Sequence, residues 1–262
     1  MRRQLLTAVG MVIVMTIVCG FVYGLALTGI GQVAFGHQAN GSFVQKNGKD
    51  VGSSLIGQPF TDSKGNPIPK YFQTRPAEAV TSSATDNITV SEASNLGPSN
   101  PLLIGFIPGV NSVGLDGSPS KTNPFATPAD PFCVPVDTTS AAAPVVSPTP
   151  GQKYAKNSDG TYVCDPSTVP ERAIAYRSEF GLAPNAQVPV DAVTASGSGL
   201  DPDISIANAD IQAPTVAKAR NLPLSTVQQL IAANTTGRSV GVLGDPGVNV
   251  LNLNLALDRL GA

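Results

Sequence analysis

The feature that most constrains this chain is an uninterrupted apolar run at its N-terminus. Leu5–Ile30 reads LLTAVGMVIVMTIVCGFVYGLALTGI, and no Asp, Glu, Lys or Arg occurs between Arg3 and Lys46. About 20 residues at ~1.5 Å rise cross a bilayer core of ~30 Å, so the run is long enough to span. A cleaved signal peptide is the rival. Its apolar core is usually shorter, ~7–15 residues, and ends in an A-x-A-like site, which Gly29-Ile30-Gly31-Gln32 is not. The run has no polar face to turn to water, which argues against a core helix of a soluble domain. A retained single-span anchor is expected over residues 1–35. Arg2 and Arg3 place its N-terminus on the cytoplasmic side by the positive-inside rule, leaving the body outside the cell membrane.

Composition agrees. Only 13% of the 262 residues are charged, and the net charge of −2 offers no basic patch for nucleic acid. Cys19 lies inside the anchor, while Cys133 and Cys164 lie in the body, where an oxidising compartment permits a bridge. A disulfide is favoured, with a metal pair as the alternative. Closing that loop would contribute ~3–4 kcal/mol in the chain-entropy model.

Along the body, Gly36–Gly48 reads as a polar linker, and 36–105 forms the first part of an α+β extracytoplasmic domain. Asn95, Gly97, Pro98, Ser99 and Asn100 belong to an ordered loop too rich in breakers for helix or strand. Residues 106–168 form a long Pro/Ala/Ser-rich, low-complexity insertion. The second part, 169–262, holds three expected helices: Pro170–Gly181, Ile206–Arg220 (kinked at Pro214) and Ser225–Asn234. Val240–Gly244 and Val248–Leu255 read as β-rich around an Asp245-Pro246-Gly247 turn, with a terminal helix over Leu255–Leu260.

Catalytic constellations are sparse. His37 is the one imidazole and sits beside the membrane; no phosphate-binding G-x-x-x-x-G-K-[ST] occurs, and a hydrolase would need an all-carboxylate site or His37. No catalytic residue and no metal site is assigned. Val190–Ser205 is the most organised segment. Thr194, Ser196 and Ser198 supply hydroxyls, Gly197 and Gly199 permit positive φ, and Asp201-Pro202 resembles a helix cap, with Asp203 a second carboxylate. Three roles fit it: a structural loop and cap, a partner-docking surface, or a phosphate or ion site.

Several blocks together resemble one family. They are Ser54-Leu-Ile-Gly-Gln58, Tyr71-Phe72 with Arg75-Pro76, Ser94–Pro101, Val190–Ser205, Val216–Arg220 and Gly244–Asp258. The pattern is similar to KdpC, the C subunit of the bacterial potassium-transporting Kdp ATPase. That resemblance implies a non-catalytic, single-pass subunit of an ATP-driven potassium importer. Its partners would be a channel-like potassium-translocating subunit, a P-type ATP-hydrolysing subunit and a small hydrophobic peptide subunit. The chain lacks the D-K-T-G phosphorylation motif, so hydrolysis would lie in a partner. No cofactor is expected on the chain itself; ATP would enter through the complex, and potassium is the transported ion.

Two mechanisms attach to such a subunit. The body stabilises assembly and tunes potassium access at the outer mouth of the channel-like subunit, or it acts as a catalytic chaperone raising the ATP affinity of the hydrolysing subunit through Thr194–Gly199. Outside the resemblance, a free-standing anchored binding module remains open. The insertion departs from the family pattern.

Overall fold

The computed structural model describes residues 2–76, 91, 156–158 and 168–261. The chain divides into two compact units, Met1–Leu55 and Ile56–Ala262.

The first unit begins with a continuous helix, α1 (Arg2–Ala34), apolar enough to cross a membrane and with none of its span buried within the protein. Over Thr16–Val22 it widens into a π-helical stretch between two α-helical halves. Its hydroxyls do not stay orphaned: Thr7 donates to the Arg3 carbonyl and Thr28 to the Gly24 carbonyl, each at 2.9 Å. Back-bonding of this kind is what lets Thr sit in an apolar helix. At the far end the Gln32 and Asn40 side-chain amides pair reciprocally at 3.1 and 3.2 Å, where the chain turns into the short helix α2 (Gly36–Ala39).

The polar stretch after α2 is an ordered hairpin rather than the expected linker. Strands β1 (Phe43–Lys46) and β2 (Lys49–Ser53) pair antiparallel with Lys46 opposite Lys49. Asn47 and Gly48 connect them at φ 54° and 74°. A two-residue turn with both φ positive matches the right-handed twist of the strands, and Asn-Gly is its preferred sequence. The Ser53 hydroxyl donates to the Gly41 carbonyl at 2.7 Å and fastens the hairpin base.

In the second unit, helices pack on a small three-stranded antiparallel sheet. Helix α3 (Val169–Glu179) carries Pro170 in its first turn, and α4 is a single turn at Val190–Val193. Then come β3 (Asp203–Ile204), α5 (Ile206–Arg220), α6 (Leu224–Ala233), β4 (Thr235–Thr236), β5 (Gly247–Asn249) and α7 (Val250–Arg259). The order across the sheet is β3-β5-β4, with Ile204 opposite Val248 and Thr235 opposite Val248 on the other edge. Ile204 and Val248 join Phe72, Ala213, Val216, Val227, Ile231, Val250, Leu253 and Leu257 in one core.

Three details of this unit depart from the sequence expectation. Helix α5 runs through Pro214 without a break. Pro214 and Asp210, whose carbonyl loses its amide partner, both lie on the exposed face, so water satisfies what proline removes. The expected strand over Val248–Leu255 stops after Asn249, because the Asn249 side chain accepts from the Asn252 amide at 3.1 Å and caps a helix there. Val240–Gly244 is a turn closed by a bridge between Ser239 and Leu243, with Val240 at φ 55°.

The core also encloses polar groups, each engaged. The Asn254 amide accepts from the Phe72 N–H and donates to the Phe72 carbonyl, both at 2.9 Å. Gln212 does the same for Gln73 at 2.8 and 3.2 Å. Two side-chain amides thus hold the extended Tyr71–Gln73 segment as neighbouring strands would. Beside it, Arg220 donates to the Lys70 carbonyl and to Asp258 at 2.6 and 2.8 Å, with its guanidinium carbon 4.9 Å from the Tyr71 ring centre.

Candidate functional site

Residues 194–203 form one loop, and its geometry is set by Arg75, a residue that carries no chemical motif of its own. Arg75 reaches across from the segment following the Tyr71–Gln73 clamp. It pairs with Asp201 at 3.0 Å and donates to the Thr194 carbonyl at 3.3 and 3.4 Å and to the Ala195 carbonyl at 3.2 Å. Arg172 of α3 adds a bond to the Val193 carbonyl at 3.3 Å. A planar guanidinium with five donors is suited to gathering several carbonyls and a carboxylate at once.

The loop's own N–H groups turn inward. Thr194 N donates to the Val190 carbonyl and Gly199 N to the Ser196 carbonyl. Leu200 N donates to the Ser198 hydroxyl at 3.1 Å, and the Thr194 hydroxyl to the Val190 carbonyl at 2.7 Å. Of the two loop glycines only Gly199 uses a positive φ, 70°. Gly57 N donates to the Leu200 carbonyl at 2.8 Å, and a Cβ at Gly57 would collide with the Asp201 carbonyl. Gly57 is therefore required by close backbone approach.

The two carboxylates are likewise spoken for. Asp201 accepts from the Asp203 N–H at 3.0 Å as well as from Arg75. It does not cap a helix; Ser205 does, accepting from Asn208 N at 3.1 Å after β3 has intervened. Asp203 accepts from the Asn249 amide at 3.1 Å. Burial pushes the Asp203 carboxyl above the usual aspartate value; the Asn249 bond opposes this and the Asp201 charge adds to it. Asp191 ties the loop's base to α5, accepting from Ser205 N at 2.8 Å and from the Asn208 amide at 2.9 Å.

The structure thus brings together Thr194, Ser196, Gly197, Ser198, Gly199, Asp201 and Asp203, leaving Gly197 and Ser198 exposed at the apex. Asn95, Gly97, Pro98, Ser99, Asn100, Cys133 and Cys164 lie outside the described residues. Arg75 and Gly57 were visible in the sequence only as parts of family-like blocks. Their partners lie more than a hundred positions away, so no local spacing exposes them.

A family model, K+-transporting ATPase, c chain (KdpC), matches residues 5–156 and 150–259. The potassium-transporting ATPase KdpC subunit of Mycobacterium tuberculosis is 40% identical over 262 residues, covering 99% of this chain and 100% of that protein. The subunit of the same description from Bradyrhizobium diazoefficiens is 37% identical over 271 residues, covering 100% of both chains. That from Methylococcus capsulatus is 36% identical over 250 residues, covering 95% of this chain and 94% of the relative. The chain belongs to the KdpC family.

Proposed function

We propose that this KdpC-family chain is a non-catalytic, membrane-anchored subunit of an ATP-driven, high-affinity potassium importer, held in a single span with its body outside the cell membrane. Its partners are a channel-like potassium-translocating subunit, a P-type ATP-hydrolysing subunit and a small hydrophobic peptide subunit. The body stabilises their assembly and tunes potassium access at the outer mouth of the channel-like subunit. The observation that carries this is the family match, which runs through both the apolar helix and the body. Arg2 and Arg3 before the helix support the orientation.

The loop geometry favours docking over nucleotide contact. A phosphate nest needs several N–H groups aimed outward. Here Thr194, Gly199 and Leu200 spend theirs internally, and the carbonyls of Thr194 and Ala195 face Arg75. A second reading, the catalytic chaperone raising the ATP affinity of the hydrolysing subunit, keeps the hydroxyl-rich apex Gly197–Ser198 as its contact.

Labelling Cys133 and Cys164 in intact cells with a membrane-impermeant thiol reagent, before and after mild reduction, tests the proposal. Labelling only after reduction is expected, from a bridged body outside. Labelling only after lysis would place the body beside cytoplasmic ATP, and the chaperone reading would then lead.

A further inference from the structure

A groove on the body, away from the Arg75 loop, holds a carboxylate that the proposed role does not use. Two adjoining cavities of about 330 and 140 Å³ share Pro67, Gln73, Glu179 and Phe180. The larger is walled by Ile68, Pro69, Tyr71 and Val216; the smaller reaches the Tyr176–Asn208–Gln212 network.

The walls are held in place before any ligand arrives. The Tyr176 hydroxyl donates to Asn208 at 2.7 Å, Gln212 donates to the same Asn208 oxygen at 2.9 Å, and the Phe180 ring packs on Tyr176 with centroids 4.6 Å apart. A preformed wall lowers the ordering cost of binding.

Among the described residues, Glu179 is the one charged side chain lining either cavity. Among them it also has neither an ion-pair nor a hydrogen-bond partner. Partial burial raises its carboxyl above the ordinary glutamate value, the mark of a charge that lacks compensation. Tyr and Phe rings beside an uncompensated carboxylate suit one side chain best. A guanidinium is planar, pairs bidentately with a carboxylate and stacks on aromatic faces, which an ammonium does less well.

We infer that this groove docks an arginine presented on a short apolar segment of a partner subunit, the guanidinium pairing with Glu179 between Phe180 and the Tyr71 side of the groove. The inference rests on the chain acting as a subunit, and it assigns the contact to a face other than the Thr194–Asp203 loop.

The test uses the full chain expressed in cells with its complex, carrying a photo-crosslinking residue at Thr215 on the groove wall. An adduct to a partner subunit is expected, mapping beside an arginine. Glu179→Gln lowers its yield about fivefold, the scale of a half-exposed ion pair. Replacing that arginine by glutamate in the partner restores the yield to a Glu179→Lys chain. Glu179→Gln leaves the thermal-unfolding midpoint unchanged, which separates lost docking from lost folding. An adduct within this chain or to a second copy, or a yield indifferent to residue 179, overturns the inference while the complex itself still co-purifies. Absence of any co-purifying subunit overturns the subunit reading along with it.

Discussion

The body pins two segments to its frame by opposite chemistries. Tyr71–Gln73 is held by neutral amides, Asn254 and Gln212, around the fully buried Phe72. Thr194–Asp201 is held by a cation, Arg75, whose side chain and that of Asp201 keep 24% and 30% exposure. A neutral amide enters a core with modest desolvation cost and replaces a β-ladder bond for bond. A guanidinium can gather four or five acceptors from an irregular loop, but it does so best where water still reaches it. Neutral pairing therefore carries the stability of the fold, and charged pairing carries the shape of its surface.

Four substitutions probe that division, in order of expected effect. Asn254→Leu strands the buried N–H and C=O of Phe72 together, at roughly 1–3 kcal/mol for each unsatisfied group, and produces the largest fall in the thermal-unfolding midpoint. Gly57→Ala forces a Cβ against the Asp201 carbonyl and costs about 2 kcal/mol as overpacking, read by the same unfolding measurement. Arg75→Met costs under about 1 kcal/mol, as half-exposed ion pairs do, yet speeds amide exchange selectively across 194–201. An Arg75→Met chain as unstable as Asn254→Leu would erase the distinction.

Asp203→Asn is the mildest. Burial raises the Asp203 carboxyl, against the Asn249 bond and with the Asp201 charge, so the folded chain binds this proton more tightly than the unfolded one. Stability from this group is thus complete below the ordinary aspartate value and is lost as pH rises through the raised one. The asparagine keeps an acceptor for Asn249 and removes that slope, visible as a flatter midpoint-against-pH curve. A slope that persists in the variant would assign it to another carboxylate.

Legibility in the sequence followed the same line. The apolar run of Leu5–Ile30 and the helices near 170–181, 206–220 and 225–234 carry their signals locally, in length, periodicity and flanking Pro or Gly. The hairpin also has a local signal, Asn47-Gly48, but the polar composition around it mimics a linker. The C-terminal helix is harder: with Val250, Leu251, Leu253, Leu255 and Leu257 all buried, its apolar residues mark no single face and mimic a strand, and only the Asn249 cap decides. The loop at 194–203 stands out by composition, but its organiser does not. Arg75 meets Asp201 across 126 positions and Asn254 meets Phe72 across 182. Side-chain pairings over such separations leave no period to find.

The Asn254–Phe72 pairing also sets an order of events during biosynthesis. Contacts between residues far apart in sequence close late, because loop-closure entropy opposes them until much else is in place. Phe72 leaves the ribosome long before Asn254, so the centre of this body has no partner for its backbone until nearly the whole chain has been made. A body outside the membrane must then mature after export rather than during it, and any chain cut short before α7 leaves Phe72 exposed as a ready mark for proteolysis.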